Sequence, residues 1–80
     1  MSQKNGIQQR VLGLCRERQI TAVQLAHLAS ISQSTLHRIL SGDNPNPEIK
    51  TIKKLCDALD ITLGEFFSTP EFDSLEQEIR

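Results

Sequence analysis

The sequence predicts an all-α domain of five helices, followed by a sixth short helix or an acidic tail. Three observations carry that prediction. Apolar residues recur at helical spacing and nowhere alternate as they would in a strand. Three segments open on the same signal, an Ile followed by Thr or Ser and, a few residues on, by another apolar side chain. A loop-forming run, Asp43-Asn44-Pro45-Asn46-Pro47, follows directly on Gly42. With 80 residues the chain makes one domain, and a domain of that size buries only roughly 60–65% of its unfolded surface.

The first helix spans about residues 6–18, where Ile7, Val11, Leu14 and Cys15 share one face. The second, about 22–28, starts at Ile20-Thr21-x-x-Gln24-Leu25: a Thr cap, a Gln that reaches back, and an apolar staple. The third, about 33–40, starts at Ile31-Ser32-x-x-x-Leu36, with cap and staple but no acid or amide partner. A cap hydroxyl satisfies a backbone N–H that the helix cannot, and its loss costs about 1 kcal/mol. Only Ala29, Ser30 and Ile31 separate the second and third helices, so the pair must cross steeply. Gly42 is the expected stop of the third. The fourth, about 49–59, gathers Ile49, Ile52, Leu55, Cys56 and Leu59 on one face and Lys50, Lys53, Lys54 and Asp57 on the other. The fifth, about 63–67, repeats the complete box in Ile61-Thr62-x-x-Glu65-Phe66. Residues 1–67 thus form the domain. In the segment 68–80, Thr69-Pro70-Glu71 reads as a helix start, with Phe72, Leu75 and Ile79 on one face. Either a sixth short helix docks there, on its own body or on a partner chain, or the tail frays.

Composition excludes several functions. No run of apolar residues is long enough to span a membrane, and Met1–Gly6 lacks a signal peptide's apolar stretch, which predicts a cytoplasmic protein. Trp and Tyr are absent, which argues against gripping single strands by stacking. Cys15 and Cys56 are far apart and set among apolar residues, and His27 and His37 lack ligand spacing. No metal and no cofactor is expected. The net charge of −1 hides a division. Residues 1–67 carry eight basic and six acidic side chains, whereas 68–80 carry four acidic residues against Arg80. A face for an anionic partner must therefore be local. Lys53 and Lys54 fit a solvated helix face, and Phe66 and Phe67 fit a core.

A short helix, a tight turn and a second short helix compose a helix-turn-helix. Thr21-x-x-x-Leu25-Ala26-x-x-Ala29-x-Ile31-Ser32-x-x-x-Leu36-x-x-Ile39-x-x-Gly42 resembles the phage repressor and Cro (XRE) family. The likeness continues through Asn44-Pro45-Asn46-Pro47, Thr51-Ile52, Ala58-Leu59 and Ile61-Thr62-Leu63. It implies a repressor-like fold and a transcriptional regulator that lays its third helix in the major groove of double-stranded DNA. By that resemblance Gln33, Ser34 and Arg38 hold the main base-reading positions, with Thr35 and His37 secondary. Gln suits adenine and Arg suits guanine. Thr21, Ala22, Val23, Asn44 and Asn46 are the phosphate candidates, with Ser41, Lys50 and Arg10 weaker ones. Relatives commonly dimerise beyond the fourth helix, where this chain offers Phe67, Phe72, Leu75 and Ile79.

Three departures stand out. Ser30 occupies a turn position where the family often has Gly. The loop after the third helix has no Lys or Arg, which predicts a weak phosphate grip and a shallow salt dependence. Cys15 and Leu40 stand where relatives often carry an Arg–Glu ion pair, and as two apolar side chains they are expected to touch. The alternative function is a protein-interaction module on the same fold, an antitoxin or an adaptor holding a basic partner through its acidic tail. Such a module would show a contiguous apolar patch instead of an exposed Gln33 and Arg38. An enzyme is not expected: no nucleophile–base arrangement and no phosphate-binding glycine loop is present.

Overall fold

A computed structural model describes residues 6–75. These residues form six helices: α1 (Gly6–Arg18), α2 (Ala22–Ala29), α3 (Gln33–Ser41), α4 (Ile49–Leu59), α5 (Leu63–Phe67) and α6 (Pro70–Asp73). Helices α2 and α3 each run one residue past their expected ends. Among the described residues there is no strand, and no helix is long and apolar enough to cross a membrane.

Three helices end alike. Gln19, Ser30 and Asp60 are left-handed, with φ near +60°. The Ile that follows each one donates its N–H back over the last turn: Ile20 to Cys15 O, Ile31 to Ala26 O and Ile61 to Cys56 O, at 3.0–3.1 Å. The next residue is the cap of the following helix: Thr21, Ser32 or Thr62. One tripeptide thus satisfies the last carbonyls of one helix and the first amides of the next. Its Ile is partly buried against the core in all three places. Gly42 ends α3 with φ +88°, a conformation that suits glycine.

Helices α2 and α4 pack together, α3 bears on α1 and α2, and α5 closes on α4. The core between them comprises Val11, Leu14, Cys15, Leu25, Ala26, Ala29, Leu36, Ile39, Ile52, Leu55, Cys56, Leu59 and Phe66. Burial pushes both thiols above their usual range; at Cys56 the neighbouring Asp57 adds to the effect. They behave as small apolar side chains rather than reactive groups. Leu40 packs against the same cluster. A hydrogen bond also ties α1 to the end of α3: Gln8 Nε2 donates to Leu40 O at 2.6 Å. Ile49, expected on the inner face of α4, is 61% exposed. It is the first residue of its helix and lies outside the buried cluster.

The tail folds back. Phe66, Phe67 and Phe72 form an aromatic cluster, with Phe67 at 4.9 Å from both neighbours in edge-on geometry. Phe72 also lies against Gly6, where an added Cβ would meet its ring at 3.0 Å. Thr69 caps α6 by accepting the Phe72 N–H, with Pro70 at the first helical position. The short helix therefore docks on its own body.

Candidate nucleic-acid interface

Helix α3 has two unlike sides. Leu36 and Ile39 are buried, and they fix the helix against α1 and α2. Gln33, Ser34, Thr35, His37 and Arg38, all five expected base readers, are exposed. Their placement follows from spacing: with Leu36 and Ile39 inward, the residues between and before them turn to solvent. Ala26, almost fully buried, is small where α2 meets its neighbours.

The start of α3 differs from the other capped starts. Ser32 Oγ accepts the Thr35 N–H at 3.0 Å. The two side-chain hydroxyls, Ser32 Oγ and Thr35 Oγ1, also hydrogen-bond to each other at 2.8 Å. At α2, Thr21 Oγ1 accepts the Gln24 N–H, and Gln24 Oε1 accepts the Thr21 N–H at 2.8 Å. That box engages the Thr21 amide. Ala22 and Val23, both exposed, remain as first-turn N–H groups without an intrahelical acceptor. Such groups suit an anion.

The loop after α3 is held by its own bonds. Arg38 O accepts the Asn44 N–H at 2.9 Å and the Ser41 hydroxyl at 3.3 Å. Asn44 Oδ1 accepts the Asn46 N–H at 3.3 Å. The backbone amides of Asn44 and Asn46, expected to face phosphate, are thus engaged inside the loop. The half-buried Asn44 and exposed Asn46 can reach outward only through their side-chain amides.

The cations divide as well. Arg10 is a clamp, not a surface charge: Nε donates to Phe66 O at 2.7 Å and a terminal nitrogen to Glu65 O at 2.8 Å. Its guanidinium lies 6.0 Å from the Phe66 ring centre. Two of its donors thus satisfy the last carbonyls of α5, which ties Arg10 to the scaffold. The spacing of Arg10 within α1 gave no sign of that reach. Lys50 pairs with Glu48 at 3.9 Å, with both side chains well exposed, a pair of little energetic weight. Lys53 pairs with Asp57 one turn on.

Of the dimer candidates, Phe67 and Phe72 are half-buried in the aromatic cluster, and Leu75 is 67% exposed. Ile79 lies outside the described residues. A feature the sequence reading missed lies on the outer side of α2. Ile20, Val23, His27, Leu28 and Ile31 line an open trough of about 620 Å³, with Gln33 at its edge. Val23 and Leu28 are each more than half exposed there. The sequence signal was present: those two are the large apolar residues of α2 that fall outside its inward stripe.

An anchored short helix, a three-residue turn and a second helix with a polar outer face define a helix-turn-helix domain of the DNA-binding kind. The chain belongs to that class: residues 10–71 match the model of the Cro/C1-type helix-turn-helix DNA-binding domain family. Among solved structures it is similar to the prophage Lp1 protein 11, known from a crystal structure. The two are 28% identical with a TM-score of 0.79, over 92% of this chain and 100% of that one. No curated protein matches.

Proposed function

We propose that the chain is a sequence-specific, repressor-type transcriptional regulator that reads double-stranded DNA in the major groove with α3. The observation that carries this reading is the polar face of α3. Gln33, Ser34, Thr35, His37 and Arg38 are exposed together on a helix whose other side is anchored in the core. Arg38 is suited to guanine O6 and N7, and Gln33 to adenine N6 and N7. The Ala22 and Val23 amides at the start of α2 take a phosphate, assisted by the Thr21, Ser41, Asn44 and Asn46 side chains. With so few cations near this face, affinity falls gently with salt. Two copies on a near-palindrome, one helical turn apart, supply the binding that one domain lacks. Leu75 and the exposed parts of Phe67 and Phe72 are the surface for that pairing.

The test is selection of bound duplexes from a randomised library at about 50 and 150 mM salt, with Arg38→Ala in parallel. A two-fold symmetric site that loses one preferred guanine in the variant supports the reading. Equal loss of specific and nonspecific binding would make Arg38 a phosphate contact. A salt slope as steep as about eight would contradict the weak grip.

A second reading, contact with a protein partner, is favoured by the apolar trough on α2. It places the partner on α2 rather than α3 or the acidic tail. Leu28→Asp would then abolish a pull-down interaction while sparing DNA selection.

A further inference from the structure

We propose that Gln8, on α1, is a positioning residue for base reading by Arg38: its side-chain amide fixes where the last turn of α3 sits on the body of the domain. This rests on the reading of α3 as the base-facing helix. Three carbonyls of that last turn have partners. Arg38 O accepts the Asn44 N–H at 2.9 Å and Ile39 O accepts the Gly42 N–H at 3.3 Å. Both of those donors belong to the segment that the turn itself leads into. Leu40 O is served from another helix, by Gln8 Nε2 at 2.6 Å. A carbonyl can only accept, so the amide nitrogen of Gln8 must face it. The amide oxygen lies beside the helix stop, where a Cβ on Gly42 would stand 3.7 Å from it.

The two local bonds shape the turn but travel with it. The buried Leu36 and Ile39 hold α3 through apolar contact, which is non-directional and tolerates small rotations. The Gln8 bond is directional and spans 32 positions of the chain, so it sets the turn against α1. Arg38 lies two residues before the anchored carbonyl, and its side chain is exposed. Bidentate reading of guanine needs both of its donors aligned at once, and a reading group must be held by its supporting residues to about 0.5 Å. Gln33, at the other end of α3, follows the Ser32 cap instead and is not held by Gln8.

Gln8→Met keeps the length of the side chain and removes the donor; Gln8→Lys returns a donor to the same carbonyl. The measurement is duplex selection with the unaltered chain, both Gln8 variants, Arg38→Ala and Gln33→Ala, with thermal melts as a folding control. Thr62→Ala, which loses a cap away from α3, controls for lost stability alone. Arg38→Ala and Gln33→Ala identify the position of the site that each residue reads. Gln8→Met should weaken the preference at the Arg38 position by roughly three- to tenfold, a part of what a bidentate contact supplies. The Gln33 position should hold, Gln8→Lys should restore the preference, and Thr62→Ala should leave both positions as they were. The inference is overturned if Gln8→Met leaves the Arg38 position unchanged, if it flattens every position alike as Thr62→Ala does, or if Gln8→Lys restores nothing. If the unaltered chain selects no site, or Arg38→Ala alters none of its positions, base reading by Arg38 falls and this inference falls with it. An Arg38 position indifferent to residue 8 removes this inference alone.

Discussion

The starts of α3 and α5 are built from the same local device and end up in different settings. Each follows an Ile and a hydroxyl cap, and each cap accepts the N–H three residues on. At α5 the box is complete, since Glu65 Oε1 accepts the Thr62 N–H at 2.8 Å. The helix then drives Phe66 into the core. At α3 the box is replaced by a pair of hydroxyls; Leu36 enters the core as Phe66 does, while Gln33, Ser34, Thr35, His37 and Arg38 stay exposed. A carboxylate at Thr35's position would set a negative charge on the proposed DNA face; a hydroxyl sets none. The comparison teaches that capping fixes where a helix begins, while the residue at its third position sets what that end carries, a carboxylate at α5 and a hydroxyl at α3.

The largest effect should come from breaking the scaffold side. Phe66 is fully buried, packs on Phe67 and Phe72, and has its carbonyl held by Arg10. Phe66→Ala should cost about 3–5 kcal/mol, a large share of a small domain's stability. Urea titration followed by circular dichroism would show the loss. A midpoint close to that of the unaltered chain would mean the aromatic cluster is not part of the fold's support. On the surface side, Arg38→Ala should remove about 1–3 kcal/mol of base discrimination. The same titration should move by less than about 0.5 kcal/mol. A large stability loss instead would place Arg38 in the scaffold.

The cap pair sharpens the contrast further. Thr62→Ala and Ser32→Ala should each lower stability by about 1 kcal/mol, yet only Ser32→Ala should alter base preference in duplex selection. Equal effects on both measurements would erase the proposed division. The smallest effect is expected in the turn. Ser30 has φ +57°, a conformation costing roughly 1–2 kcal/mol for a residue with a Cβ. Ser30→Gly should recover that cost less roughly 0.5–1 kcal/mol of added chain entropy. The melting temperature should rise slightly with duplex selection unchanged.

Much of this was legible in the sequence because it is local. The caps at Thr21, Ser32 and Thr62 and the stop at Gly42 need only neighbouring residues to be recognised. The periodicity of Leu36 and Ile39 was enough to turn the polar face of α3 outward. What escaped is long-range or competitive. Arg10 reaches carbonyls 55 and 56 positions away, and no spacing rule within α1 announces that. Gln8 reaches Leu40 in the same manner. The amides of Asn44 and Asn46 were read as outward donors because the loop's own acceptors, Arg38 O and Asn44 Oδ1, were not counted against them. Ile49 fitted the apolar stripe of α4, but the stripe extends past the core that covers it.

The claim that α3 serves the surface while α5 serves the scaffold can be tested by mapping amide shifts during titration of the labelled chain with duplex DNA. The account predicts shifts concentrated at Ala22, Val23 and residues 33–38, with Thr62–Phe67 quiet. Shifts centred on α5 and α6, with α3 unmoved, would contradict it.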